Sequence, residues 1–343
     1  LNLYFNYFFY SLCTHKTIGF SSGGQREEPI KLEGKKIKFK SIPKITLKDF
    51  LIGTTNGKQS TITVILTLPS NKLTNNLPVV IILHGSGGLH NSEKRWAQRL
   101  NKIGIATFSI DSNKGRRCGN NCYADHQGFP NMVDGYRALE LLSSHPNIDP
   151  NRIALLGFSV GGHSTLYASM KRFQKMWGAP GLEFAAYVAF YPSCNIIFNE
   201  EDVISDQPIR VLHGSLDEWG SAEVSKKYVD RLQAAGNDII MTIFPGAHHS
   251  FDMKMERPII VKGWGQVNCH FIENDELGDH PLKVSQVGYD KNEHKKTYKM
   301  GALLMYDKSC GTKKARIEYN EEAAKKSIKI VTDFFVSIFK LSS

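Results

Sequence analysis

A serine flanked by glycines carries the clearest chemical signal in this chain. Residues 157–161 have the sequence GFSVG, a G-x-S-x-G motif in which Ser159 is a candidate nucleophile. The mainly apolar run RIALL at 152–156 before it predicts a short buried strand, and residues 162–168 after it predict the start of a helix. A sharp turn between strand and helix lifts a serine hydroxyl out of the sheet edge, and its glycines leave room for the close backbone approach. The alternative is a glycine-rich turn with a solvated serine.

A nucleophilic serine needs a general base, and the base needs an acid that orients it. Downstream of Ser159, Asp217 follows one predicted strand, and His248 and His249 follow the next, at 239–244. These side chains are therefore expected where parallel strands end, at the edge from which the serine emerges. Taken alone, Asp217 is more typical of a turn aspartate. With the serine and a strand-end histidine beside it in the chain order, it becomes the candidate acid.

Four segments in this order resemble the signatures of the dienelactone hydrolase family of α/β-hydrolases. They are HGSGG at 84–88, GFSVGG at 157–162, HGSLD at 213–217 and FPGAHHSF at 244–251. The resemblance implies a hydrolase that cleaves a small-molecule carboxylic ester through an acyl-enzyme and uses no cofactor. The founding enzymes have cysteine as the nucleophile where this chain has serine, which favours a general esterase over a true dienelactone hydrolase.

The resemblance also assigns a role to each candidate residue. The family places its histidine directly before a small residue and a phenylalanine, so the base falls on His249 rather than on His248. The assigned residues are the nucleophile Ser159, the acid Asp217, the base His249 and, through their backbone N–H groups, the oxyanion-hole donors Ser86 and Val160. Two alternatives stay open: a peptidase or amidase of the same superfamily, and a non-catalytic binding protein with the same fold.

The rest of the sequence predicts the fold that positions these residues. The chain has 343 residues, 41% of them hydrophobic, which is enough for one large core. Strands are predicted at 35–40, 61–68, 77–83, 103–111, 152–156, 184–191, 208–213 and 239–244. Helical spacing of Met132, Tyr136 and Leu139 predicts a helix, and Asn320 is a candidate N-cap for the last one. We predict the α/β-hydrolase fold: a mostly parallel central sheet with helices on both faces.

Two regions fall outside the minimal fold. Residues 1–29 are interpreted as an N-terminal tail or truncated signal-like segment with a linker, and residues 30–343 as a single α/β-hydrolase domain. The tail lacks the basic start of a secretory signal, and its apolar run is too short to span a membrane. The domain carries an insertion at about 253–316, attached to the loop of His249. The insertion either forms part of the pocket wall or is a surface elaboration that adds stability.

The cysteines bear on the cellular compartment. We predict disulfides between Cys118 and Cys122 and between Cys269 and Cys310, because both pairs lie in stretches with little core of their own. Disulfides indicate an oxidising compartment, so the prediction is a periplasmic or secreted protein. The alternative is a cytoplasmic protein in which these cysteines are free thiols.

The charge is +10, but the basic residues are scattered and no nucleic-acid motif accompanies them, which favours a solvated basic surface. Arg116 and Arg117 follow a predicted strand end at the edge of the site, where an arginine could bind a substrate carboxylate; the alternative is a structural ion pair. No metal site is expected, since His248 and His249 are adjacent and point apart, and no H-E-x-x-H motif occurs. The sequence does not indicate an oligomeric state.

Overall fold

The computed structural model describes residues 34–69, 76–116, 128–265, 270–273, 282–285, 296–297 and 312–341. The first nine strands are β1 (Lys35–Ser41), β2 (Ser60–Thr67), β3 (Leu77–Leu83), β4 (Ala106–Asp111), β5 (Ile148–Phe158), β6 (Tyr187–Phe190), β7 (Ile196–Ile197), β8 (Ile209–Gly214) and β9 (Ile239–Phe244). All except β7 form one sheet in the order β1-β2-β4-β3-β5-β6-β8-β9. Strand β2 runs antiparallel to both of its neighbours, and every other pair is parallel. The predicted fold class is confirmed.

Helices cover both faces of this sheet. They are α1 (Leu47–Leu51), α2 (Asn91–Lys102), α3 (Ser112–Arg116), α4 (Phe129–Ser143), α5 (Val160–Tyr167), α6 (Lys171–Trp177), α7 (Ala222–Ala234) and α8 (Glu321–Ile338). Alternate residues of β3 enter two separate cores: Val79 and Ile81 pack with α4 to α7, and Val80 and Ile82 pack with α2 and α8. This alternation explains why the strand is apolar without interruption, since a strand between two helical layers has no solvent face.

Several element boundaries differ from the predicted ones. Strand β4 begins at Ala106 instead of 103, because α2 continues to Lys102 and the chain then turns at Gly104, whose φ is 86°. Strand β6 is limited to four residues, and Tyr191 directly after it has a φ of 39°. The last helix begins as predicted: the side chain of its N-cap Asn320 accepts a hydrogen bond from the N–H of Ala323 at 3.0 Å.

The insertion contains strands that the sequence did not predict. They are β10 (Ile259–Gly265), β11 (His270–Glu273), β12 (Leu282–Ser285), β13 (Lys296–Thr297) and β14 (Thr312–Ile317). Strands β10 and β14 form an antiparallel pair, and β13, β12 and β11 extend from β7 as a four-stranded sheet. Phe271 of β11 is buried in the core beneath the main sheet, and its N–H donates to Asn195 O at 2.8 Å. The insertion is therefore packed against the body of the fold.

Several predicted features lie outside the described residues: the N-terminal segment 1–29, Arg117, and the cysteines Cys118, Cys122, Cys269 and Cys310. Cys194 is a buried free thiol, and burial raises its pKa to about 12, which makes it unreactive as a nucleophile. None of the helices in the described part of the chain combines the length and the apolar composition that a membrane crossing needs.

Candidate active site

Ser159 stands on the tight turn that joins β5 to α5. Its φ of 53° is unusual for a residue with a side chain, and it aims the hydroxyl away from the strand. The turn is possible because its glycines touch backbone: a Cβ on Gly161 would lie 2.3 Å from Leu83 O, and one on Gly157 only 2.0 Å from Gly161 O. The N–H of Ser159 donates to Phe190 O at 3.0 Å, which fixes the turn to the neighbouring strand.

The structure brings Ser159, His249 and Asp217 together, although they are far apart in the sequence. The Ser159 hydroxyl donates to His249 Nε2 at 2.8 Å, and His249 Nδ1–H donates to Asp217 Oδ2 at 2.7 Å. The other carboxylate oxygen of Asp217 accepts from the N–H groups of Trp219 at 2.8 Å and Gly220 at 3.2 Å. With Nδ1 protonated and held in this way, Nε2 carries the lone pair that faces the serine hydroxyl.

The carboxylate of Asp217 is held in its ionised form. Burial alone would raise its pKa, but the charge and hydrogen bond of His249, the nearby His213 and the N–H of Gly220 together bring the pKa below its ordinary value. His213 Nδ1 lies 3.9 Å from Asp217 Oδ2, and the ring nitrogens of His213 contact backbone carbonyls. Burial lowers the pKa of His213. An ionised Asp217 fits the role of orienting and stabilising the imidazole of His249.

The candidate oxyanion-hole donors are the backbone N–H groups of Val160, which follows the serine directly, and of Ser86, which follows Gly85; a Cβ on Gly85 would lie 3.6 Å from Ser159 Cβ. Val160 is the first residue of α5, so its N–H has no partner within the helix, and Ser86 lies in the exposed loop after β3. Neither N–H donates to an acceptor in the described part of the chain. A helix N-terminus with free N–H groups favours negative charge, which suits a developing oxyanion.

Hydrogen bonds of the His84 ring stabilise the loop that contains Ser86. The ring Nδ1–H donates to the next carbonyl, Gly85 O, at 2.5 Å, while Nε2 accepts from the N–H of Ser112 at 3.1 Å. The Ser86 carbonyl in turn accepts from Asn113 Nδ2 at 2.9 Å. Both ring nitrogens of buried His84 are therefore hydrogen-bonded, and the backbone of the loop is fixed on either side of the Ser86 N–H.

The far side of the His249 ring is packed by residues that the sequence did not reveal. The ring of Tyr191 lies edge-on to it at a centroid distance of 4.7 Å, and that of Trp219 lies at 5.7 Å. The Tyr191 hydroxyl donates to buried Asp252 at 2.8 Å, and Trp96 Nε1 donates to the other oxygen at the same distance. No motif marks these residues, because the contacts form only after four separate segments have packed.

The predicted substrate-binding role of Arg116 conflicts with its position. Its guanidinium binds the Asp134 carboxylate through two hydrogen bonds of 2.7 Å, and both side chains are buried. It also donates to Ile42 O at 3.1 Å, so it ties α3 to α4 and to the segment after β1. Both terminal nitrogens of the guanidinium are thus occupied by protein acceptors, and the side chain is buried, so the alternative of a structural ion pair fits the geometry.

His163, four residues after the nucleophile, is a packed residue. Its Nδ1 donates to Ser193 O at 3.0 Å, and burial lowers its pKa to about 4, so it is neutral at physiological pH. Within the residues that the structure describes, no group of three or more histidine, cysteine, aspartate or glutamate side chains could hold a metal ion.

Comparison with known proteins places the chain in a family. The sequence model of the dienelactone hydrolase family matches residues 62–339. A candidate dienelactone hydrolase from Klebsiella pneumoniae has a similar structure, with a TM-score of 0.52 at 15% identity, over 88% of this chain and 99% of that one. An esterase from Thermogutta terrifontis, solved with bound propionate, gives a TM-score of 0.45 at 18% identity, over 57% of this chain and 82% of its own.

A curated relative matches a shorter stretch. Acyl-protein thioesterase 1 from Gibberella zeae is 29% identical over 103 residues, which are 30% of this chain and 43% of that protein. The chain therefore spans less than half the length of that relative. The Klebsiella structure supports the fold, and the family match covers most of the chain, including Ser159, Asp217 and His249. The chain belongs to the dienelactone hydrolase family of α/β-hydrolases.

Proposed function

We propose that this protein is a serine esterase, which hydrolyses a small carboxylic ester through an acyl-enzyme. The observation that carries the proposal is the continuous hydrogen-bond chain from Ser159 through His249 to Asp217, with links of 2.8 and 2.7 Å. Its family is named for the hydrolysis of a lactone, a cyclic ester, which supports the same bond as the target.

Acylation begins when Ser159 Oγ attacks the ester carbonyl carbon and its proton passes to His249 Nε2. The carbonyl oxygen becomes an oxyanion, and we assign its binding to the N–H groups of Ser86 and Val160; one such donor is worth about 3 kcal/mol in a well-studied protease. The imidazolium formed at His249 lies next to the ionised Asp217. The C–O bond to the alcohol then breaks, and the alcohol takes the proton from Nε2.

Deacylation repeats these steps with water in place of the serine. Water attacks the acyl carbon while its proton moves to His249 Nε2, and the same two N–H groups bind the second oxyanion. The bond to Ser159 Oγ breaks, the serine oxygen recovers its proton from the imidazolium, and the carboxylic acid leaves. No group beyond the side chains and backbone named here is needed.

Three other functions make different predictions. A peptidase or amidase would cleave an anilide as well as an ester of the same acyl group, since the same triad serves both leaving groups. A thioesterase would prefer a thioester, a possibility that the partial match to acyl-protein thioesterase 1 raises. A non-catalytic binding protein would turn over none of these substrates.

One substrate series tests the proposal. Chromogenic esters from acetyl to dodecanoyl, with the matching thioester and anilide, are compared for the wild type and Ser159→Ala. We expect ester turnover that depends on Ser159 and stoichiometric labelling of Ser159 by a fluorophosphonate. Turnover of the anilide or thioester at a higher kcat/KM than the ester would replace the proposal, and a wild type that neither turns over nor labels would refute it.

We also propose that the enzyme acts outside the cytoplasm, with its two cysteine pairs oxidised. The register of β10 and β14 supports the pair Cys269–Cys310: Gly265 lies opposite Thr312, and in the sequence Cys269 comes four residues after Gly265 while Cys310 comes two residues before Thr312. The cytoplasmic alternative predicts free thiols at the same positions.

A further inference from the structure

His248, next to the candidate base, has a carboxylate at each of its ring nitrogens. Nδ1 lies 3.0 Å from Glu218 Oε2, and Nε2 lies 3.8 Å from Glu318 Oε2. The imidazole side chain is 12% exposed, while the side chains of Glu218 and Glu318 are 32% and 35% exposed, so the cluster lies at the border between the interior and the solvent. Glu218 follows Asp217 directly, and Glu318 follows the last residue of β14. Three segments that are far apart in the sequence therefore meet at one imidazole.

Arg316 on β14 closes this cluster. Its backbone N–H donates to Glu218 Oε2 at 3.2 Å, and its guanidinium binds Glu318 Oε2 at 3.1 Å. The backbone adds a second tie, since the N–H of Glu318 donates to His249 O at 3.3 Å and Ile317 forms a parallel bridge with His249. The returning strand of the insertion is thus bonded to both loops that carry Asp217 and His249.

We propose that Glu218, His248 and Glu318 are positioning residues for the reaction. Through them, β14 fixes the loop that carries Asp217 and the loop that carries His249 relative to each other. This keeps His249 Nδ1 within hydrogen-bond distance of Asp217 Oδ2. The inference rests on the proposed serine esterase function. None of the three side chains contacts Ser159 in the hydrogen bonds and ion pairs of the structure, and each acts through a neighbour in its own segment.

Two hydrogen bonds join the loop of Asp217 to the loop of His249, and the reaction depends on the relative position of these loops. Asp217 and Glu218 are adjacent, as are His248 and His249, so the bond between Glu218 and His248 joins the same two loops as the bond between Asp217 and His249. Two bonds between the same loops restrain the rotation of one loop against the other more than one bond does. A hydrogen bond weakens steeply when its angle or length departs from the optimum, and a misplacement of about 1 Å can lower a rate about 100-fold.

The test compares two replacements of His248. His248→Ala removes both contacts, while His248→Asn places an amide N–H close to the position of Nδ1 and can still donate to Glu218. We expect kcat per fluorophosphonate-labelled site to fall about tenfold in His248→Ala with KM little changed, and to recover most of that loss in His248→Asn. Normalising to labelled sites removes any contribution from misfolded protein.

The matched control is His145→Ala. His145 lies in the turn between α4 and β5, before the N-terminal end of β5, whereas Ser159 follows the C-terminal end of that strand. Among the described residues, the ring of His145 accepts one hydrogen bond, from the N–H of Asn147. This variant is expected to keep the wild-type kcat per labelled site. A Glu318→Ala variant tests the contact between Glu318 and His248. In the double variant with His248→Ala, the fold-decrease in kcat should be smaller than the product of the fold-decreases in the two single variants.

The outcomes separate this inference from the proposed function. An active wild type whose kcat per labelled site is unchanged in His248→Ala overturns the positioning role alone, even if the melting temperature falls. Equal loss in His248→Ala and His248→Asn also overturns it, because the shared donor to Glu218 would then have no effect. A wild type that neither hydrolyses esters nor takes up the fluorophosphonate overturns both.

Discussion

At the scale of single residues, backbone strain is concentrated around the candidate triad. Six non-glycine residues in the described part of the chain have a positive φ: Asn76, Ser159, Tyr191, Glu200, Ser250 and Lys340. Ser159 carries the hydroxyl, Tyr191 packs on His249, and Ser250 follows that histidine directly. Such conformations cost about 1–3 kcal/mol each and persist where the surrounding structure imposes them. The packing around the site thus stabilises a geometry that the local sequence alone would not adopt.

Replacing the nucleophile should separate activity from stability. Ser159→Ala is expected to lower kcat/KM about 10⁴-fold or more, because no other side chain is placed to form the acyl-enzyme. Ser159→Gly should be equally inactive but about 1 kcal/mol more stable than Ser159→Ala, since glycine tolerates a φ of 53°. Ester hydrolysis and denaturant unfolding measure the two effects. Near-normal turnover by purified Ser159→Ala would show that the nucleophile is another residue.

Replacement of the two adjacent histidines should lower turnover to very different extents. His249→Ala removes the group bonded to both Ser159 and Asp217, so turnover is expected to fall about 10⁴-fold or more. His248→Ala leaves that chain in place and should reduce kcat about tenfold. Parallel kinetics on both variants, normalised to folded protein, decide the assignment. A larger loss in His248→Ala than in His249→Ala would contradict it.

Buried His163 should make the protein less stable in acid. Its pKa is about 4 in the folded state and about 6.5 when unfolded, so between these values the unfolded chain binds the extra proton. This group therefore gives full stability above about pH 6.5 and loses about 3 kcal/mol as the pH falls to 4.

His163→Asn tests this prediction, because the amide can still donate to Ser193 O but cannot be protonated. The free energy of unfolding, measured in urea near pH 7 and near pH 4.5, should fall less in the variant than in the wild type. Other buried groups such as His213 titrate in both proteins and cancel in the comparison. Parallel pH profiles for the two proteins would refute the assigned role of His163.

At the scale of elements, the sequence predicted the parts whose pattern is local. The apolar run of β3 and the turn around Ser159 were recognisable, because burial on two faces and a tight strand-to-helix turn restrict residue type directly. The sequence left two roles open for Arg116, substrate binding and a structural ion pair, because nothing near it in the sequence identifies Asp134 as its partner. The strands of the insertion were missed because β10 pairs with β14 across the length of the insertion and β11 pairs with β7 outside it, so no local pattern marks them.

The turn between β5 and α5 should not tolerate a methyl group on its glycines. Gly161→Ala would place a Cβ 2.3 Å from Leu83 O, which requires the strand and helix to separate, and we expect it to lose about 3 kcal/mol or more of stability together with activity. Gly135→Ala is the control: its Cβ would meet Leu155 at an ordinary contact distance of 3.4 Å inside α4. That variant should be neutral or about 0.5–1 kcal/mol more stable. Similar stability of the two variants would contradict the close packing of the turn.

At the scale of the whole molecule, the insertion is attached to the body in two places. At one, β14 is bonded to the loop of His249. At the other, Glu273 on β11 forms a buried ion pair with Arg172, with contacts of 2.6 and 2.7 Å, beside the buried ring of Phe271. Loss of one partner from such a pair typically costs about 3–5 kcal/mol. Among the described strands of the insertion, β11 and β14 are therefore fixed to the body of the fold, and β14 is fixed beside the candidate site.

A disulfide between Cys269 and Cys310 should complete this attachment. Strands β10 and β14 pair with Gly265 opposite Thr312, and the cysteines stand four residues after the first and two before the second. Chain segments of that length can reach a common point from paired strand ends. In the chain-entropy model the bond would contribute about 3–4 kcal/mol by restricting the unfolded chain. Mass spectrometry of unreduced, digested protein should therefore yield the linked peptides, and reduction should lower the melting temperature of the wild type by more than that of Cys269→Ser, in which only the pair Cys118–Cys122 is left to reduce. Alkylation of both thiols in native protein purified from an oxidising compartment would refute the disulfide and favour the cytoplasmic alternative.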